Sequence, residues 1–149
     1  MTDNRTARFA LPLLATGQAH KELFHNEAIT LVDFLLDPVV EGISTDPSAL
    51  SAEDGQCWLV DNGATGDWEG HEGEVAAWTA NGWNFIVPVE FMRITISGTG
   101  VRAIFRDDVW QIADFVAGAT GGTTIDSEAR AAIDSILTAL QTHAILPEA

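Results

Sequence analysis

Four histidines, one cysteine and 22 acidic residues are the side chains of this 149-residue sequence able to carry proton transfer, metal ligation or nucleophilic attack. His20 and His25, with Lys21, Glu22, Asn26 and Glu27 around them, gather where a helix is expected to start. Five residues turn a helix through about 500°, so the two imidazoles diverge, whereas a zinc-binding H-E-x-x-H places them four apart on one face. A solvated or capping network is expected there. Asp61-Asn62-Gly63-Ala64-Thr65-Gly66-Asp67 opens like a calcium loop, but ligands at alternate positions and a late bidentate glutamate do not align, and a tight glycine turn is expected instead. His71, within Gly70-His71-Glu72-Gly73, is a lone histidine on a turn.

Nucleophile patterns are equally thin. No Ser stands in a Gly-x-Ser-x-Gly elbow and no glycine-rich loop ends in Gly-Lys-Ser/Thr. Cys57 has no His-bearing signature, excludes an intrachain disulfide by being alone, and suits small core filler on a strand. Among so many acids, neighbours such as Glu53-Asp54 and Asp107-Asp108 arise without function. No catalytic residue, metal site or cofactor site is assigned, and the chain is expected not to be an enzyme.

Binding chemistry is better represented. Trp58, Trp68, Trp78, Trp83 and Trp110 are many for this length, and an exposed indole can stack on a sugar ring. Trp68, between turn glycines, is the tryptophan expected at the surface and hence the candidate glycan contact. Arg93, Arg102 and Arg106, three of the seven basic residues, are expected on one face of a small sheet. They serve either salt bridges to the chain's own acids or an acidic surface of another copy.

The elements that would position these groups follow from periodicity. A helix is expected from about Gln18 to Leu36, where Asp37-Pro38 stops it, with Leu23, Phe24, Ala28, Leu31, Val32, Leu35 and Leu36 as an apolar stripe. That stripe must be covered by the rest of the chain or by a neighbouring subunit. Asn81-Gly82 predicts a two-residue type I′ turn that puts Trp78, Trp83, Phe85 and Val87 on one face, with Ala80 opposite Trp83. Further along, Ile96 should pair with Val101, Ile94 with Ala103, Met92 with Phe105, Phe105 with Trp110 and Ala103 with Ile112. A last helix begins near Asp126 as N-cap, with Glu128 in its first turn and Ala129, Ala132, Ile133, Ile136, Leu137, Leu140 and Ala144 as its stripe.

The expectation is an α+β protein in five pieces: an N-terminal extended arm and helix over 1–40, a linker over 41–55, an aromatic-rich antiparallel β meander over 56–117, a Gly/Thr linker over 118–124 and an amphipathic C-terminal helix over 125–149. Ile133, Ile136, Leu137 and Leu140, with the three arginines, are the candidate subunit interface. With 46% hydrophobic residues, one domain of this size has enough apolar material for a core. The net charge of −15 opposes nucleic acid as a partner. The apolar run Phe9–Leu14 is short and interrupted by Pro12, a poor signal peptide, and no stretch reaches the ~18 apolar residues of a bilayer span. Synthesis in the cytoplasm without a signal peptide and no membrane partner are expected.

Phe9-Ala10-Leu11-Pro12-Leu13-Leu14-Ala15-Thr16-Gly17-Gln18-Ala19-His20-Lys21 through His25-Asn26-Glu27-Ala28 resembles the start of a domain-of-unknown-function family. Gly63-Ala64-Thr65-Gly66-Asp67-Trp68-Glu69-Gly70-His71-Glu72-Gly73, Ala77-Trp78, Gly82-Trp83-Asn84-Phe85 and Pro88 are similar to its central signature. Ile125–Ile133 with the leucine-rich helix and His143 resembles its tail. Family members usually carry Gly-Trp after the central proline and one further residue, where this chain has Pro88-Val89-Glu90-Phe91. The family occurs in alphaproteobacterial prophages and gene transfer agent clusters. The resemblance implies a particle component, closest to a head spike base, whose partners would be capsid protein and a spike or tail fibre protein. A cyclic homo-oligomer, for instance a pentamer at a capsid vertex, would suit that role, and the chain would end up in the phage-like particle. The alternative is a carbohydrate-binding module that recognises host capsule or wall polysaccharide.

Overall fold

A computed structural model describes residues 4–15, 17 and 21–147, Lys21 by its backbone alone. Among them are two helices, α1 (Lys21–Leu35) and α2 (Ser127–Thr142), and eight strands distributed over two sheets. The strands are β1 (Val39–Val40), β2 (Ile43–Ser44), β3 (Cys57–Val60), β4 (Val75–Thr79), β5 (Gly82–Ile86), β6 (Arg93–Ile96), β7 (Val101–Arg106) and β8 (Val109–Ile112). The class is α+β, with a helix toward each end. Tertiary contacts divide the chain into two units, one through Pro88 and one from Val89.

In the first unit, β2 runs parallel to β3, and β3–β4–β5 form an antiparallel meander. Trp58 faces Ala76, Ala76 faces Phe85, and Trp78 faces Trp83, so the alternation of strand side chains puts these aromatics on one side of the sheet. The turn from Gly66 to Trp68 closes over that side, and Trp58, Val60, Ala64, Trp68 and Ala76 are buried together with Leu50, Ala52, Trp83 and Phe85 against them. Trp83 is the hub, its ring centroid 5.7 Å from Trp58, 5.1 Å from Trp68 and 4.7 Å from Trp78, all edge-on. Each such pair contributes about 0.5–1.5 kcal/mol beyond its area.

The β4–β5 register differs from the type I′ expectation by one residue on each strand: Trp78, not Ala80, lies opposite Trp83, and Thr79 lies opposite Gly82. Of the turn residues only Gly82 adopts positive φ, +104°. The Thr79 hydroxyl sets the turn by accepting from Asn81 N–H (3.2 Å) and donating to Gly82 C=O (2.9 Å). Because the shift is even, the face assignment of Trp78, Trp83 and Phe85 survives.

Ahead of α1, residues 4–13 fold back on themselves rather than extend, with Thr6 N–H donating to Leu11 C=O and Leu13 N–H to Asn4 C=O. Asp33 holds this loop. Its buried carboxylate accepts from the Thr6 hydroxyl (2.7 Å) and from the backbone N–H groups of Arg8 and Phe9 (2.9 Å each). Asn26 does the same about two helical turns earlier, exchanging bonds with Leu14 N–H and C=O.

In the second unit β6–β7–β8 is antiparallel, and the pairs Ile96–Val101, Ile94–Ala103, Phe105–Trp110 and Ala103–Ile112 stand as read from the sequence, while Phe105 N–H donates to Met92 C=O. The β7–β8 turn works because Asp107 and Asp108 both take positive φ, +53° and +61°. Asp126 caps α2 by accepting from Ala129 N–H at 2.8 Å. Past the end of β8, Arg102 N–H finds its acceptor on Ala144, in the left-handed turn that ends α2.

Candidate functional site

The polar ladder of α1 decides which of its faces is inside. Asn26 and Asp33 bond to the folded-back loop, Arg8 donates to the Phe34 carbonyl, and Phe34 and Asp33 are buried. Most of the apolar stripe is thereby turned outward: Leu23 is 61% and Phe24 74% exposed, and Ala28, Val32, Leu35 and Leu36 are also exposed, whereas Leu31 is half-buried. The helix is mounted by a mixed face, on which the buried Phe34 accompanies Asn26 and an Asp33 carboxylate satisfied by three donors.

The second unit repeats the theme. Helix α2 buries none of its residues. Of the candidate interface residues, Ile133 and Ile136 are exposed, whereas Leu137 and Leu140 are half-buried. Arg130 fastens the glycine-rich approach to the helix by donating to the carbonyls of Ala119 and Gly121.

Arg93, Arg102 and Arg106 lie on one face of β6–β7, opposite the buried Ile94, Ile96, Val101 and Ala103. All three are exposed, and among the described residues none forms an ion pair. Arg106 sits 5.6 Å over the ring of Phe91. Phe91 itself is exposed and holds φ at +67°, a conformation that is strained for a bulky side chain. Its N–H donates to Phe105 C=O, which fixes the turn despite that cost. Sequence reasoning passed over Phe91, Leu23 and Phe24 as site residues; the departure from Gly-Trp at Pro88–Phe91 was the available signal for the first.

Trp68 corrects its expectation. The indole is 0% exposed, packed on Trp83 beneath the glycine turns, so it has no face to offer a sugar. Its Nε1 has no hydrogen-bond partner among the described residues. Flanking glycines mark a turn, but the tryptophan within it serves as the plug of the sheet face.

The titratable groups separate. His20 lies outside the described residues, and His25 is exposed on α1. The His71 ring stacks on Phe85 with centroids 3.5 Å apart, and its Nδ1 is 2.9 Å from Glu74. Among the described residues, no group of three or more His, Cys, Asp or Glu is arranged to hold a metal ion. The Cys57 thiol is buried, donates to Val39 C=O at 2.9 Å, and is pushed up to about 11 chiefly by burial. No helix of the described residues is long and apolar enough to cross a membrane.

Fold and surface together define an α+β protein whose apolar and basic groups are displayed on its faces. Residues 25–111, more than half of the chain, match the family described as a protein of unknown function, DUF2793, and the chain belongs to that family. The match runs from within α1 to within β8. A search of curated proteins returns no match.

Proposed function

We propose that this chain is a non-enzymatic structural adaptor of a phage-like particle of the gene transfer agent type, a head spike base between a capsid vertex and a receptor-binding fibre. The observation that carries this reading is the outward apolar residues of α1, a helix held through Asn26, Asp33 and Phe34. Burying apolar surface is worth about 25 cal/mol per Å², and Leu23, Phe24, Val32, Leu35 and Leu36, exposed among the described residues, would gain it against another chain. The exposed Ile133 and Ile136 of α2 add a second such surface.

Charge supplies orientation. Three guanidinium groups on one sheet face without an ion pair among the described residues, within a chain of net charge −15, would suit an acidic surface of a further copy. Cyclic self-association would use that complementarity repeatedly around a ring. The chain would be made in the bacterial cytoplasm and incorporated into the particle.

Reversing all three charges (Arg93→Glu, Arg102→Glu, Arg106→Glu) tests this. We expect incorporation into particles to fall at least tenfold while circular dichroism stays that of the wild type. Normal incorporation of the reversed chain would remove the basic face from the account.

A further inference from the structure

A surface cleft in the first unit serves none of the association surfaces. It lies between the chain at 46–52 and the β4–β5 strands and has a volume of about 460 Å³, within the ~300–1,000 Å³ of small-molecule sites. Trp78 and Trp83, both half-buried, line it with ring centroids 4.7 Å apart and planes at 67°. The carboxylates of Asp46 and Asp67 and the hydroxyls of Ser48 and Ser51 belong to the same lining and are exposed.

The floor is pre-organised. Trp83 is held edge-on by Trp58 and Trp68, and Asp46 is fixed by accepting from Ser48 N–H at 2.8 Å. Such a site loses little freedom when a ligand arrives. Half-buried indole faces flanked by carboxylates and hydroxyls suit a ligand with one apolar C–H face and a girdle of hydroxyl donors.

We propose that this cleft binds a neutral polysaccharide, a pyranose ring stacking on the Trp78 indole with Trp83 as the wall beside it, while its hydroxyls donate to Asp46 and Asp67. Acidic glycans are disfavoured by the two carboxylates and by the −15 charge of the chain. A lone quaternary ammonium, the other ligand of aromatic cages, leaves most of the volume unfilled and the serine hydroxyls unused.

Affinity electrophoresis of the full chain in gels containing dextran, galactomannan or xyloglucan tests the site, with alginate as the acidic arm and choline chloride titrated against tryptophan fluorescence. At least one neutral polymer should retard the wild type, and its dissociation constant should rise tenfold or more in Trp78→Ala and in Asp67→Ala. The Asp67 carboxylate is exposed and makes no side-chain hydrogen bond among the described residues, and circular dichroism of its variant should match the wild type. Phe91→Ala, in the other unit, should bind as the wild type does. The proposal falls if none of the three polymers retards the protein or if retardation persists in both cleft variants. It falls equally if alginate is held through Trp78 or if choline alone quenches.

Discussion

Trp68 and Cys57 show how much the interior of the first unit rests on single side chains. Replacing Trp68 by alanine should cost about 3–5 kcal/mol, the range for emptying a large aromatic site. Trp68→Phe should cost less than half of that, because it also removes the buried N–H that has no described partner. Urea unfolding of the two variants checks the order. For Cys57, burial raises the thiol from its ordinary 9.0 to about 11, so the folded state holds the proton more tightly than the unfolded chain. The resulting stability, about 2–3 kcal/mol at 1.36 kcal/mol per unit, is fully present below pH 9 and is lost as pH rises through 11. Unfolding free energy of the wild type should therefore decline across that window more steeply than that of Cys57→Ala. Equal slopes would mean that the thiol ionises freely in the native state.

At the level of elements, hairpins were legible where the turn left no choice. Asp107 and Asp108 tolerate positive φ, so β7–β8 fell into the expected register. At Asn81-Gly82 the same signal pointed to the right hairpin and the wrong partners, since the Thr79 hydroxyl offered the turn a competing set of bonds. The stripe of α1 was visible by its period, but not its direction. That depended on Asp33 meeting Thr6, Arg8 and Phe9, contacts 24 to 27 residues away. The buried state of Trp68 was hidden for a related reason: its partner Trp83 sits on another strand. The cleft beside Trp78 needs three separate stretches of chain at once, which no local pattern announces.

For the whole molecule, we propose that apolar helix faces and a basic sheet face are completed by other chains. Under the proposed function, the exposed Leu23, Phe24, Ile133 and Ile136 would be the surfaces for partners, and the 22 acids would limit non-specific association. Sedimentation velocity of the purified chain, beside a Leu23→Glu/Phe24→Glu variant, reads this most directly. The wild type should sediment as a discrete multimer of the 16.0 kDa chain and the variant as a folded monomer. A wild type that stays monomeric at tens of micromolar, with the variant indistinguishable from it, would contradict the account.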